Sequence, residues 1–367
     1  MRNIVIAVLL LFAIITGKAY LFPAETGNKN ELSLEKRPSG ATRFVGFEQR
    51  RYLSKNHRYK FSINSITAQI PYASNMTLHE EHDEVIRLIL AIHSSSYNPD
   101  TYLENSLLLL GDDDKLNKET LIVAPAFYRK DKTNISDSVI WSVSPFWGSS
   151  RALYRGEKIK LSAYEILDDI LTRIITSKHF KNLSEIIILG HSAGGQLVNR
   201  YAASNTIENT VAQEHHVSMR YLVMAPSSYV YLDGKRVKKY ENNRFTFPFG
   251  ANKKYNYWGY GLEHLYGYHK RHGITAETIR FQYQYRKVLY LVGERDTKAY
   301  ALDKSSSAMR EGENRLERLK IYYNYLKSYY GDEIAEYHSM AIIPNAGHSG
   351  RVLMSSKQGK KFILGHF

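Results

Sequence analysis

The 367-residue chain contains no cysteine. That excludes disulfide staples, a thiol nucleophile, lipid attachment through an N-terminal cysteine and any thiolate metal site. A chain of this length can rely on a hydrophobic core instead. Internal repeats and low-complexity tracts are missing too. So is an apolar run of membrane length. Residues 4–15 are unbroken and apolar, but a spanning helix needs roughly twenty such residues. Behind Arg2, that run has the shape of a secretory signal peptide with Gly17-Lys18-Ala19 as its cleavage site, or of a retained anchor. An exported location follows from either. No carboxylate and histidine spacing suggests a metal centre. Asp112-Asp113-Asp114 lacks the glycine and distal glutamate of a calcium loop and reads as a polar turn. No metal or other cofactor is expected.

Acidic residues are outnumbered, 36 against 50 Lys and Arg, for a net charge of +14. No recognisable nucleic-acid module accompanies that charge. The basic residues are spread along the chain, with one concentration at Lys235-Arg236-Val237-Lys238-Lys239. They read as a solvated basic surface, with peripheral contact to a membrane or another acidic surface as the alternative.

What the chain does have is a pentapeptide, Gly190-His191-Ser192-Ala193-Gly194, set between an apolar run of strand length (185–189) and a helix-like stretch (195–203). A G-x-S-x-G sequence in that setting is a nucleophile elbow. The serine must sit on a sharp, strained turn that exposes its hydroxyl, and a side chain at 190 or 194 would collide with neighbouring backbone. A serine hydroxyl needs a base, and the base needs a third group to orient it. Downstream, a buried strand (287–292) runs into Gly293-Glu294-Arg295-Asp296, and another (336–343) into Asn345-Ala346-Gly347-His348. Both candidates lie past the carboxyl ends of strands, where open α/β sheets bind ligands. Ser192 is therefore assigned as nucleophile, His348 as base and Asp296 as orienting acid. Glu294 and Asp303 are rival acids. His191 flanks the nucleophile and cannot supply the base.

An oxyanion hole needs backbone N–H groups aimed at the developing charge. One is expected from Ala193. The second is expected from the loop after strand 84–92, at Ser94 or Ser95.

Further strands are expected at 58–66, 120–124 and 220–225, and a helix at 161–176, where apolar residues recur at helical spacing. Strands alternating with helices predict one α/β domain over 59–367, built on a mostly parallel sheet with helices on both faces. It would follow a leader (1–19) and a polar arm (20–58). The segment 227–285 interrupts the alternation and is dense in aromatics, which suggests a lid over the site. Tyr97, Tyr257, Trp258 and Tyr260 are the aromatics expected to contact substrate.

With those residues in place, the chain from Tyr59 onward resembles the α/β-hydrolase superfamily. Gly190-His191-Ser192-Ala193-Gly194-Gly195-Gln196 with Arg200-Tyr201-Ala202, together with Ala225-Pro226-Ser227-Ser228-Tyr229 and Tyr260-Gly261-Leu262, is similar to a group of secreted or membrane-attached hydrolases in bacteria and fungi. The resemblance implies the fold, the triad and hydrolysis of an ester or amide, without naming a substrate. Two departures stand out: Ser94 replaces an oxyanion-loop glycine, and a helix expected at 309–330 lengthens the gap between Asp296 and His348. Acyl transfer from the same site, or a non-catalytic binding protein on the same scaffold, are the alternative functions.

Overall fold

A computed structural model describes residues 57–238 and 241–365. The leader, nearly all of the arm and Lys239 lie outside the described residues. Among the described residues no helix is long and apolar enough to cross a membrane.

Eight strands form the central sheet. They are β1 (Arg58–Ile63), β2 (Ile66–Ser74), β3 (Arg87–Ile92), β4 (Thr120–Pro125), β5 (Glu185–His191), β6 (Ser218–Met224), β7 (Lys287–Gly293) and β8 (His338–Ile343). Their spatial order is β1-β2-β4-β3-β5-β6-β7-β8. From β4 to β8 every pairing is parallel, while β1 and β2 join antiparallel at one edge. The strands β3, β4 and β5 are buried along their whole length. That pattern requires cover on both faces, and it explains why their sequences are continuous apolar runs rather than alternating ones. Principal helices are α1 (Pro99–Leu110), α2 (Ala163–Thr176), α3 (Ala193–Ser204), α4 (Ala276–Tyr283) and α5 (Arg315–Tyr330). At the start of α2, Ser162 and Glu165 cap each other's backbone N–H groups. Asp113 of the acidic turn caps a short helix through Leu116 N–H.

The expected strand at 58–66 is in fact a hairpin. Asn64 and Ser65 both adopt positive φ, 50° and 63°, the tight turn that most often announces itself as Asn-Gly. Pro71 inside β2 hides that strand further.

The strand order reverses direction between β3 and β5, since the chain leaves β3 to pair β4 on one side and returns as β5 on the other. This is the topological switch point, where the loops at the carboxyl ends part and open a crevice. The elbow and the 94–96 loop flank it.

The basic surface needs correction. Seven arginines (Arg87, Arg200, Arg220, Arg236, Arg286, Arg315 and Arg318) are buried. Arg236, in the middle of the basic concentration, lies with its guanidinium 4.0 Å from the Tyr231 ring centre and donates to the carbonyls of Tyr255 and Tyr260. These cations serve as internal crosslinks, because a planar fork of donors can satisfy several loop carbonyls at once.

Candidate active site

Ser192 stands between β5 and α3 at φ 57°, ψ −116°, a conformation that costs a non-glycine residue energy and persists only when the surroundings enforce it. They do. Ser192 N–H donates to the Met224 carbonyl at the end of β6, 2.9 Å. A Cβ on Gly190 would strike the Gly194 carbonyl, and one on Gly194 would strike the carbonyl oxygens of Ile92 and His93. The strained serine is thus clamped between the ends of β3 and β6. Its hydroxyl does not cap α3, and Ser192 lines a cleft. Ala193 is the first residue of α3, so its N–H has no acceptor within the helix.

On the far side of the site, two turns are laced together. Arg295 N–H donates to the Ala346 carbonyl at 2.8 Å, and Asn345 N–H to the Glu294 carboxylate at 2.9 Å. The lacing brings His348 Nδ1 to 2.7 Å from Asp296 Oδ2. A carboxylate only accepts, so Nδ1 carries a proton, and the neutral form of the ring has its lone pair on Nε2. Asp296 is 2 % exposed, and its second oxygen lies 3.6 Å from buried Arg315, the first residue of α5. Among the three rival carboxylates only Asp296 meets His348. Glu294 is used in the lacing, and Asp303 accepts from Tyr260 O–H at 2.6 Å and from Ser305 N–H.

His191 joins the two halves. It precedes Ser192 in the chain, and its ring centre lies 4.4 Å from that of His348. Burial first, and the neighbouring His348 second, push its pKa well below the usual imidazole range. The ring beside His348 is therefore neutral. Gly350 makes room for it, since a Cβ there would come to 2.9 Å of the His191 ring.

The loop after β3 is held by the histidine that precedes the two candidate oxyanion serines. His93 is fully buried; its Nε2 accepts from Phe127 N–H and its Nδ1 donates to the Ser94 carbonyl, both at 2.8 Å. Burial holds its pKa down to about 4, so the neutral Nδ1–H form persists. Of the two serines expected to supply an oxyanion donor, Ser95 lines the cleft and Ser94 does not. Ser94 instead spends its carbonyl on His93 and Tyr97 N–H, and its hydroxyl on Ser96.

The cleft has a volume of about 280 Å³. Beside Ser192 and Ala193, its walls include Phe146 and Trp147 from the 142–150 loop and Ala301 and Leu302 from the segment after β7. None of the four aromatics expected to contact substrate lines it. Tyr97 is buried against His93 and Phe146. Tyr257 packs on His264, Trp258 is buried against His269, and Tyr260 meets Trp147 edge-on at 5.1 Å. The segment 227–285 contributes only Ser227 to the cleft. Its leading tyrosines, Tyr229 and Tyr231, are fully buried against Tyr322 of α5. Aromatic density here reflects core packing, which sequence alone does not separate from ligand contact. Among the described residues no group of three or more histidines and carboxylates is arranged to hold a metal ion.

A strained serine after the fifth strand, a histidine–carboxylate pair after the eighth and seventh, and this strand order define the architecture. The chain has the α/β-hydrolase fold. It is similar in structure to the poly(3-hydroxybutyrate) depolymerase LpqC from Bordetella parapertussis, with a TM-score of 0.55 at 18 % identity over 85 % of this chain and 91 % of that one. Poly(aspartic acid) hydrolase-1 from Sphingomonas sp. KT-1 superposes with a TM-score of 0.52 at 16 % identity, over 83 % of this chain and 98 % of that one. No protein-family model matches the sequence, and no curated protein matches it either.

Proposed function

We propose that this α/β-hydrolase-fold chain is a serine hydrolase that cleaves a carboxylic ester through an acyl-enzyme. The observation that carries the reading is the 2.7 Å contact between His348 Nδ1 and buried Asp296. It fixes the tautomer that leaves Nε2 free to accept a proton. In this reading Ser192 Oγ attacks the carbonyl carbon while its proton passes to His348 Nε2. The oxyanion is received by the N–H of Ala193 and that of Ser95. His348, now imidazolium and stabilised by Asp296, returns the proton to the leaving alcohol. Water, deprotonated by the same imidazole, then attacks the acyl-enzyme and releases the acid and free Ser192. Both neighbours in structure bear the names of polymer-cleaving enzymes, which agrees with hydrolysis without identifying a substrate. The apolar run at 4–15 supports an exported site for the reaction.

The test is turnover of p-nitrophenyl esters by the full chain, with labelling of Ser192 by a fluorophosphonate. Wild-type protein should do both, and Ser192→Ala should do neither. A folded wild-type protein that shows no turnover and takes up no label rules the proposal out.

A further inference from the structure

Trp147, one of the two aromatics that line the cleft, is held from several sides. Its indole N–H donates to Gln196 Oε1 at 2.8 Å, and that oxygen also accepts from Ser228 O–H. The guanidinium of fully buried Arg200 lies 5.1 Å from its ring centre. Tyr260 meets the ring edge-on, its own hydroxyl tied to Asp303 at 2.6 Å and Ser305 at 2.9 Å. The Trp147 carbonyl accepts from Trp258 indole N–H at 2.7 Å. Behind the ring the backbone of Gly259 passes so closely that a Cβ there would stand 2.9 Å from Trp147 Cε3. At φ +109° that position suits glycine on its own account. Trp258 and Tyr260, both expected to touch substrate, thus stand one step back as buttresses for Trp147, which the sequence did not point to.

The identity of this wall matters because of which half of an ester it would face. On the serine-hydrolase reading, the leaving alcohol must depart towards His348, which hands it a proton. His348 is not among the residues lining the cleft, whereas Ser192, Ala193 and Ser95 are. In that reading the cleft takes the acyl side of the reacting carbonyl. Its walls are apolar at Phe146, Trp147, Ala301 and Leu302 and polar at Gln196 and Asp303, and its volume is about 280 Å³.

We infer that Trp147 is the specificity-determining wall of the acyl pocket, and that the substrates are esters of short acyl groups. A side chain fixed on so many sides cannot swing aside for a longer chain, so length is rejected by steric conflict rather than by weak binding. The inference rests on the serine-hydrolase reading but makes a separate demand.

The experiment compares kcat/KM for p-nitrophenyl acetate, butyrate and octanoate in the wild type, Trp147→Ala and Trp147→Leu, with fluorophosphonate labelling of each. Wild type should favour acetate and butyrate. Removing the indole should raise the octanoate-to-acetate ratio by about tenfold or more, since pocket size discriminates by about one to two orders of magnitude per misfitting group. Trp147→Leu, which keeps apolar bulk and is the milder change for folding, should move the ratio in the same direction by less. If all three proteins label and turn over with parallel chain-length profiles, the acyl wall is wrong and the serine-hydrolase reading stands. If wild type neither labels nor turns over, both fall together.

Discussion

Arg315 lies 3.6 Å from the Asp296 carboxylate oxygen that His348 leaves unused. Both side chains are almost wholly buried, at 1 % and 2 % exposure. The same guanidinium donates to the Ala301 carbonyl at 2.7 Å, to Ser227 Oγ at 3.3 Å and to the Tyr300 carbonyl at 3.1 Å. One side chain therefore compensates the buried carboxylate and holds two residues of the cleft wall.

Arg315→Gln should lower both stability and kcat/KM, because removing one member of a buried pair strands the other, at a cost of about 3–5 kcal/mol. Arg315→Lys should restore little of either, since an ammonium cannot reach acceptors spread across a planar fork. Thermal unfolding and ester turnover measure the two effects. Full recovery in the lysine variant would show that charge alone suffices.

Asp296→Asn should lower kcat by about three to four orders of magnitude with little change in KM, because an amide at that position favours the wrong imidazole tautomer. Labelling of Ser192 should slow in parallel. An effect smaller than about tenfold would move the orienting role elsewhere.

Glu311 gives a pH dependence of defined sign. Burial raises its pKa from 4.5 to about 8, although Tyr229 N–H and the cations of Arg318, Arg236 and Arg200 oppose this. Between those values the folded chain keeps a proton that the unfolded chain has lost. The stability linked to this group is therefore complete below pH 4.5 and is lost as pH rises towards 8. Glu311→Gln should remain neutral throughout, giving a protein more stable than wild type at pH 8 and a flatter stability profile below it. Denaturant titrations across that range would reveal it; an unchanged slope would mean that Glu311 is ionised in the fold.

Three buried histidines act in the opposite sense. Burial lowers His93, His269 and His338 from 6.5 to about 4. Here the unfolded chain binds the extra protons, so the stability from these groups is complete above pH 6.5 and lost as pH falls to 4. His269→Gln, which can keep a hydrogen bond to Ser204, should reduce the slope of stability against pH by about one proton, or about 1.4 kcal/mol per pH unit.

The parts of the site that the sequence displayed are those dictated by backbone geometry. Gly190 and Gly194 had to be glycine, and Asp296 and His348 stand where apolar strands end. What stayed hidden depends on distant packing. Trp147 sits in a loop whose own composition gives no reason to place it near Ser192. Arg315 is a common residue type until its partner, 19 positions away, is known, and the bond from Phe127 N–H that anchors His93 joins residues 34 positions apart. Tyr257, Trp258 and Tyr260, expected at the substrate, pack on His264, His269 and Trp147 instead, because a ring with a polar tip suits a packed core with a hydrogen-bond partner as well as a ligand. The basic composition likewise gave no sign that seven arginines turn inward.

Gly194 presses on the carbonyls of Ile92 and His93, while Ser192 hangs from Met224. The turn that carries Ser192 is thus shaped by three strands whose residues lie up to 132 positions apart, Ile92 and Met224 being the extremes. A chain still assembling its sheet has no such turn, and its serine would be an ordinary alcohol. Reactivity at Ser192 would then switch on only as the last neighbouring strand docks. Covalent labelling of that hydroxyl, followed during refolding, would time the closure of the sheet.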